Sequence, residues 1–143
     1  EALISGPGLR RLHRARLAAL GEARPDLGGA DIVEMALADP AGQEAATIRA
    51  FWRLVARFAG DMAITFLSTG GVTLAGGILP RIVPLLDADD FRASFERKAP
   101  YEWLVRRIPV RVLTAPDTVL SGMADIAARP HAYAIDYEAR RWL

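Results

Sequence analysis

Cysteine is absent from this sequence of 143 residues, and histidine occurs only twice. The lack of cysteine excludes a disulfide framework and any metal site built from thiolates. Charge of one sign does not dominate either, because 18 basic and 17 acidic residues leave a net charge of +1. No apolar run approaches the roughly 20 residues of a membrane-spanning helix. We therefore expect a cytoplasmic, globular protein with no nucleic-acid and no membrane partner.

Apolar periodicity predicts that most of the chain is helical. The longest predicted helix covers 41–67, where large apolar residues recur at steps of three and four. Its last two turns are apolar nearly all round, which predicts that this end enters the interior. Shorter helices are predicted from Ser5 to Gly21 and at 31–38, 79–86, 90–96, 101–107 and 118–128. Asp117 precedes the last of these helices and is its expected N-cap.

The first predicted helix is rich in arginine, at positions Arg10, Arg11, Arg14 and Arg16. Because apolar residues alternate with these arginines and the net charge is balanced, we interpret them as a solvated helix face. The two histidines, His13 and His131, lack partner ligands at metal-binding spacing. The sequence therefore offers no metal site.

A glycine pair provides the strongest local signal for a binding site. Val72–Ala75 has the composition of a short buried strand, and Gly76 and Gly77 follow it directly. Pro80 then falls in the first turn of the next helix, where its missing N–H group costs least. Such a turn without side chains can admit a flat ring or a phosphate close to the backbone. In isolation, however, a glycine pair after a strand is more often just a tight turn.

A second strand is predicted at 108–113, with Pro109 near its start. Two strands cannot form a stable sheet alone, yet both look buried and both lead into helices. The sequence therefore predicts an α/β fold whose sheet is incomplete in this chain.

Several segments match one known family in order and in approximate spacing. They are Glu1–Leu9, Ala36–Asp39, Arg57–Phe58, Gly70–Arg81, Phe91 with Phe95 and Lys98, and Ile108–Val110. On these residues the chain resembles the bacterial glucokinase family, which are ATP-dependent sugar kinases of the actin-like ATPase and hexokinase superfamily. The resemblance extends from the first residue to about position 128, which is nearly the whole globular part.

The resemblance implies the helix-rich C-terminal portion of a ribonuclease H-like, actin/hexokinase-type ATPase domain. Residues 1–116 would form the second half of the large domain. Residues 117–143 would form a C-terminal helix and tail that pack back onto the small domain. Because the family's phosphate loops and catalytic base precede the matched region, we expect them in a missing N-terminal part of the same polypeptide. This segment alone should then be inactive.

The resemblance also implies site residues. Glu1 would accept hydrogen bonds from glucose hydroxyls, although a solvated terminal residue is the simpler interpretation. Gly76 and Gly77 would form the adenosine motif, and Ser5 and Gly6 would border the nucleotide pocket in addition to starting a helix. ATP and Mg²⁺ are the implied cofactors, glucose is the implied substrate, and a homodimer is expected. No catalytic residue and no metal ligand is assigned within this chain.

Two other hypotheses remain open on sequence alone. One is a non-catalytic sugar sensor or regulator of the related repressor and kinase group, which would carry a cysteine-rich zinc motif upstream of Glu1. The other is an oligomerisation module in which the long helix presents Phe51 and Phe58 to a partner.

Overall fold

A computed structural model describes residues 2–22 and 25–133 of the chain. The chain forms two compact units, Glu1–Leu113 and Thr114–Leu143. The first unit contains helices α1 (Gly6–Ala19), α2 (Gly29–Ala38), α3 (Gln43–Thr65), α4 (Leu79–Ile82), α5 (Ala88–Glu96) and α6 (Glu102–Val105), and strands β1 (Val72–Leu74) and β2 (Val110–Val112). The predicted helix-rich α/β class is confirmed. No helix in the two described ranges has the length and hydropathy of a membrane span.

Helix α3 is the centre of the first unit and packs against α1, α2, α5, α6 and β1. Its buried side includes Ile48, Phe51 and Trp52, each with an exposed fraction of 2% or less. The indole Nε1 of Trp52 donates a hydrogen bond to the carbonyl oxygen of Ile82 at 3.1 Å, which ties α3 to α4. Burial of these large side chains supplies most of the apolar area that stabilises the unit.

The C-terminal end of α3 differs from the prediction. Its large residues are exposed, with Phe66 at 74% and Leu67 at 64%, so the expectation that the last two turns enter the interior is wrong for these side chains. The side of α3 that is buried there consists of small residues, among them Ala59, Gly60 and Ala63. The backbone of α5 approaches this side so closely that only small residues fit, and the larger ones lie on the opposite face.

The described sheet consists of two parallel strands. Val72 of β1 is opposite Val110 of β2, and Leu74 is opposite Val112. A Val72 N–H donates to the Pro109 carbonyl at 2.8 Å, and the Leu113 N–H donates to the Leu74 carbonyl at 2.9 Å. Both strands are shorter than predicted. Because the pair is parallel, the connection between its strands includes α4, α5 and α6.

The second unit contains α7 (Thr118–Ala128), as predicted, followed by a 3₁₀ turn at Pro130–Ala132. The predicted capping role of Asp117 is wrong. Asp117 adopts a left-handed conformation with φ of 57°, and its side chain makes no capping hydrogen bond. Instead, the Thr118 hydroxyl donates to the Ala115 carbonyl at 2.8 Å. The backbone at Asp117 turns the carboxylate away from the geometry that an N-cap requires.

Gly60 provides a test of the close contact between α3 and α5. A Cβ atom at Gly60 would lie 2.4 Å from the Phe95 carbonyl oxygen and 2.6 Å from the Lys98 Cε. We expect Gly60→Ala to lower the free energy of unfolding by about 1–3 kcal/mol, because the overpacking exceeds the roughly 1 kcal/mol gain in helix propensity. Denaturant unfolding followed by Trp fluorescence measures the change.

The matched control is Gly122→Ala in α7, where a new Cβ would meet nothing within 4 Å. This variant should leave the unfolding of the first unit unchanged. A Gly60→Ala protein as stable as the original would contradict the close approach of α5.

Candidate functional site

A cleft opens in the first unit where α1 and α2 begin, next to the segment that leads into α4. Its cavity volume is about 630 Å³. The lining residues are Gly6, Pro7, Leu9, Arg10, Arg11, Arg14, Gly28, Gly29, Ala30, Val33, Ile78 and Arg81. A cavity of this size is within the range that accommodates small-molecule ligands and cofactors.

Three segments that are distant in sequence meet at this cleft. A Cβ atom built on Gly6 would lie 3.8 Å from the Ile78 Cδ1, and one built on Gly29 would lie 3.1 Å from the Gly6 carbonyl oxygen. The structure therefore places Ser5–Gly6 beside Ile78, the residue that directly follows Gly76–Gly77. A side chain at Gly29 would press against the carbonyl oxygen of Gly6 at the start of α1, so the absence of a side chain at Gly29 favours this close approach.

The glycine pair itself lies next to the cleft rather than among its lining residues. Gly76 has φ of +145°, a conformation that other residues rarely adopt. A Cβ atom at Gly76 or Gly77 would meet nothing within 4 Å, so the backbone of both residues is open to an approaching group. Glu1, the predicted sugar ligand, lies outside the described residues.

The two helices that border the cleft begin differently. Ser5 caps α1, because its Oγ accepts a hydrogen bond from the Gly8 N–H at 3.0 Å, and Pro7 occupies the first turn as predicted. Gly28 precedes α2 and offers no side-chain cap. The Gly28 N–H instead donates to the Asp31 Oδ2 at 3.1 Å, so the carboxylate of Asp31 lies at the start of α2.

The cleft walls carry positive charge. Four arginines line the cleft, and its described lining residues include no aspartate and no glutamate. Arg10 is paired with Asp26, with its Nε 2.9 Å from the Asp26 Oδ1. The hydrogen bond and the charge of Arg10 lower the pKa of the Asp26 carboxyl, so this carboxylate stays ionised at neutral pH and holds Arg10 in place.

Sequence reasoning missed part of this site. Arg10, Arg11 and Arg14 are exposed, as a solvated helix face requires, and they also line the cleft, whereas Arg16 is partly buried and donates to Thr47. The second helix is predicted to begin at 31, but α2 begins at Gly29, so Gly28 and Gly29 lie at the start of a helix that borders the cleft. The sequence feature that could have indicated this part of the site is the glycine pair just before an amphipathic helix. An ordinary turn has the same composition.

A buried polar network holds α1 against α3 behind the cleft. Thr47 is fully buried, and its Oγ1 lies 2.8 Å from the His13 Nδ1 and 2.8 Å from an Arg16 guanidinium nitrogen. The carboxylate of Glu44 lies 3.6 Å from the His13 Nε2, on the other side of the ring. Burial lowers the pKa of Arg16, with a further contribution from the charges of Arg49 and Arg53. The network fixes the helix that supplies one wall of the cleft.

The residues present do not fit a divalent cation. Within residues 2–22 and 25–133 no group of three or more His, Cys, Asp or Glu side chains is arranged to hold a metal ion. Mg²⁺ prefers carboxylate, phosphate and water oxygens, whereas this cleft presents guanidinium and N–H groups.

Comparison with known proteins identifies the family. The family model described as Glucokinase matches residues 1–130. The chain belongs to the glucokinase family. Similar curated glucokinases include that of Mesorhizobium japonicum, 42% identical over 144 residues, and that of Agrobacterium fabrum, 40% identical over 142 residues. Each alignment covers 99% of this chain but only 42% of the relative.

A solved structure supports the same assignment. The crystal structure of a glucokinase from an Antarctic psychrotroph matches with a TM-score of 0.78 and 31% sequence identity. The match covers 87% of this chain and 38% of the glucokinase chain. The fold described above is therefore that of one part of a glucokinase.

Thr47 provides a test of the network behind the cleft. Thr47→Val keeps the shape of the side chain but removes the acceptor for Arg16 and the partner of His13. We expect the free energy of unfolding to fall by about 2–3 kcal/mol, because buried groups lose hydrogen bonds and one of them is charged. Chemical denaturation measures this loss.

Thr47→Ser is the matched control, since it retains the hydroxyl and removes only a methyl group. The Thr47→Ser substitution should lower the free energy of unfolding by about 1 kcal/mol. Equal losses for the valine and serine variants would show that packing, and not hydrogen bonding, stabilises this position.

Proposed function

We propose that this chain is the nucleotide-holding part of a glucokinase, an enzyme that transfers the terminal phosphoryl group of ATP to glucose to give glucose 6-phosphate. The observation that carries the proposal is the cleft itself, at which Ser5–Gly6, Gly28–Gly29 and Ile78 meet. The family resemblance assigns the first of these segments, Ser5–Gly6, to the nucleotide, and Ile78 directly follows the other assigned segment, Gly76–Gly77. Membership of the glucokinase family supplies the reaction.

In this proposal the adenosine of ATP occupies the cleft whose lining residues include Gly6 and Ile78. Gly76 and Gly77 border this adenosine, because their open backbone allows close approach. Guanidinium groups in the walls complement the negative charge of the nucleotide. The chain thus contributes binding and orientation, which are the main protein contributions to phosphoryl transfer.

The groups proposed to bind glucose, to act as the general base and to hold Mg²⁺ lie outside the described residues. Glu1 is proposed to bind glucose hydroxyls, as a carboxylate accepts several hydrogen bonds from a polyol. The general base is proposed to lie in the part of the polypeptide that corresponds to the remaining length of the relatives, of which this chain covers 42%. Mg²⁺ is proposed as the ion that accompanies ATP, with ligands other than the cleft residues.

The homodimer and the cytoplasmic location remain predictions. The glucokinase names of the family model and of the relatives favour the enzyme over the sugar sensor. The two-domain assignment of 1–116 and 117–143 also remains a proposal.

A Gly6→Leu substitution tests nucleotide binding in the cleft. The leucine side chain would extend from the wall toward Ile78 and occupy the space proposed for the nucleotide. We expect ATP affinity to fall about tenfold or more, measured by calorimetric titration of the chain, since displacing the ligand costs at least about 1.4 kcal/mol. Gly70→Leu is the matched control, because Gly70 lies outside the cleft and a Cβ there meets nothing within 4 Å.

If both leucine variants bind ATP as tightly as the original chain, the nucleotide does not occupy this cleft. Circular dichroism of both variants shows whether the fold is retained.

A chimera tests the reaction. The N-terminal part of the Mesorhizobium japonicum glucokinase, up to the start of its match, is joined to this chain. We expect glucose-dependent release of ADP from the chimera in a coupled assay and none from this chain alone, because the chain lacks the proposed base. A folded chimera that releases no ADP with any hexose would contradict the proposed function.

A further inference from the structure

The C-terminal half of α3 carries an apolar stripe that does not belong to the core. Leu54, Phe58, Met62 and Phe66 follow one another at steps of four residues, so they are neighbours along one side of the helix. Phe58 is 54% exposed and Phe66 is 74% exposed, while Leu54 and Met62 are half-buried. In the described ranges, neither Leu54 nor Met62 is among the side chains that pack on the core. A continuous exposed stripe of this kind is typical of an interaction surface.

This surface is separate from the cleft. The described lining residues of the cleft include none from α3, so a partner bound to the stripe would not occupy the proposed nucleotide site. Phe51 lies seven residues before Phe58 on the same side of the helix, but it is only 2% exposed. The hypothesis that the long helix presents both Phe51 and Phe58 to a partner is therefore wrong for Phe51, and only the C-terminal half of the helix is available.

Charges of both signs flank the stripe. Arg57 and Asp61 lie on the adjoining ridge of α3, again four residues apart. Asp61 pairs with the Lys98 Nζ at 2.7 Å, yet its side chain remains 58% exposed. Arg57 is exposed, and only its carbonyl oxygen, which accepts from Lys98, has a hydrogen bond outside the helix in the part of the chain that the structure describes. The surface thus offers a cation and an exposed anion beside its apolar stripe.

We propose that this face of α3 binds the same face of a second copy of the chain, as an antiparallel pair of helices about a two-fold axis. An axis midway along the stripe sets Phe58 of each copy against Met62 of the other, and Leu54 against Phe66. The same axis brings Arg57 of each copy close to Asp61 of the other, so two ion pairs form across the contact.

The second copy is favoured as the occupant because the surface is complementary to itself. A face that pairs with its own copy needs apolar residues along the middle and opposite charges at positions that its axis exchanges. Phe58 and Met62 supply the first, and Arg57 and Asp61 supply the second. Phenylalanine, methionine and arginine are also residue types that protein interfaces favour.

Sedimentation velocity of the chain at micromolar concentration tests this contact. We expect a mass of twice 15.5 kDa. Phe58→Glu puts a charge in the middle of the stripe and should weaken the dimer about thirtyfold or more, as for a central aromatic residue of an interface. Leu20→Glu is the matched control, because Leu20 is 55% exposed but lies at the end of α1. It should leave the association unchanged. Circular dichroism checks that both variants retain the fold.

A charge exchange tests the contact between copies directly. Arg57→Glu and Asp61→Lys should each weaken the dimer, because like charges then meet twice across the axis. An equimolar mixture of the two variants should recover dimers. In the mixed pair the new carboxylate faces the new ammonium group, and the remaining Arg57 faces the remaining Asp61. Loss of folding in either variant cannot produce this recovery.

The chimera with the N-terminal part of the Mesorhizobium japonicum glucokinase distinguishes a second copy from the rest of the polypeptide as the occupant. A dimeric chimera that Phe58→Glu dissociates supports the second copy. A monomeric chimera would show that the rest of the polypeptide covers the stripe, and would overturn the inference. A monomeric chain, a dimer that Phe58→Glu leaves intact, or a mixture of the two charge variants that stays monomeric would each overturn it as well. None of these outcomes bears on nucleotide binding, because α3 does not line the cleft.

Discussion

Burial of α3 is the constraint on which the rest of the structure depends. Its 23 residues contact two helices that precede it and two that follow it, as well as β1. Large residues such as Phe51 and Trp52 fill the space on one part of its surface, and small residues such as Gly60 admit the backbone of α5 on another. Because α1 and α2 both pack on this helix, their first turns come to lie side by side. The cleft is a consequence of that arrangement.

The chemistry of the cleft follows from how its walls are made. Bare backbone is present where three glycines line the cleft, and positive charge is present where arginines line the walls. Carboxylates are absent from its described lining. Such a site favours a ligand that combines a flat ring with negative charge, which is the description of a purine nucleotide. Family membership and site chemistry therefore lead to the same proposal independently.

Agreement between sequence and structure was best where local signals act alone. Ser5 and the proline that follows it predicted the start of α1 correctly, because a capping side chain acts within one helical turn. The extent of α3 was predicted to within about two residues at each end. The Asp117 cap failed because a left-handed backbone, which composition does not reveal, turned the carboxylate away. The predicted burial of the end of α3, which contains the exposed Phe66, was wrong for another reason, since periodicity gives the spacing of apolar residues but not which stripe a neighbour covers.

The sequence by itself determined the helix-rich α/β class, the glycine turn at Gly76–Gly77 and, through family resemblance, the expectation of a nucleotide. It could do so because helix periodicity, capping and glycine turns depend on residues close together in the chain. Only the tertiary structure decided that Gly28–Gly29 and Arg81 belong to the same site as Ser5–Gly6. These segments are separated by many residues, and their meeting depends on how α1, α2 and α4 pack around α3. Local signals contain no information about such packing, so they do not reveal that the exposed arginines of α1 also line a cleft.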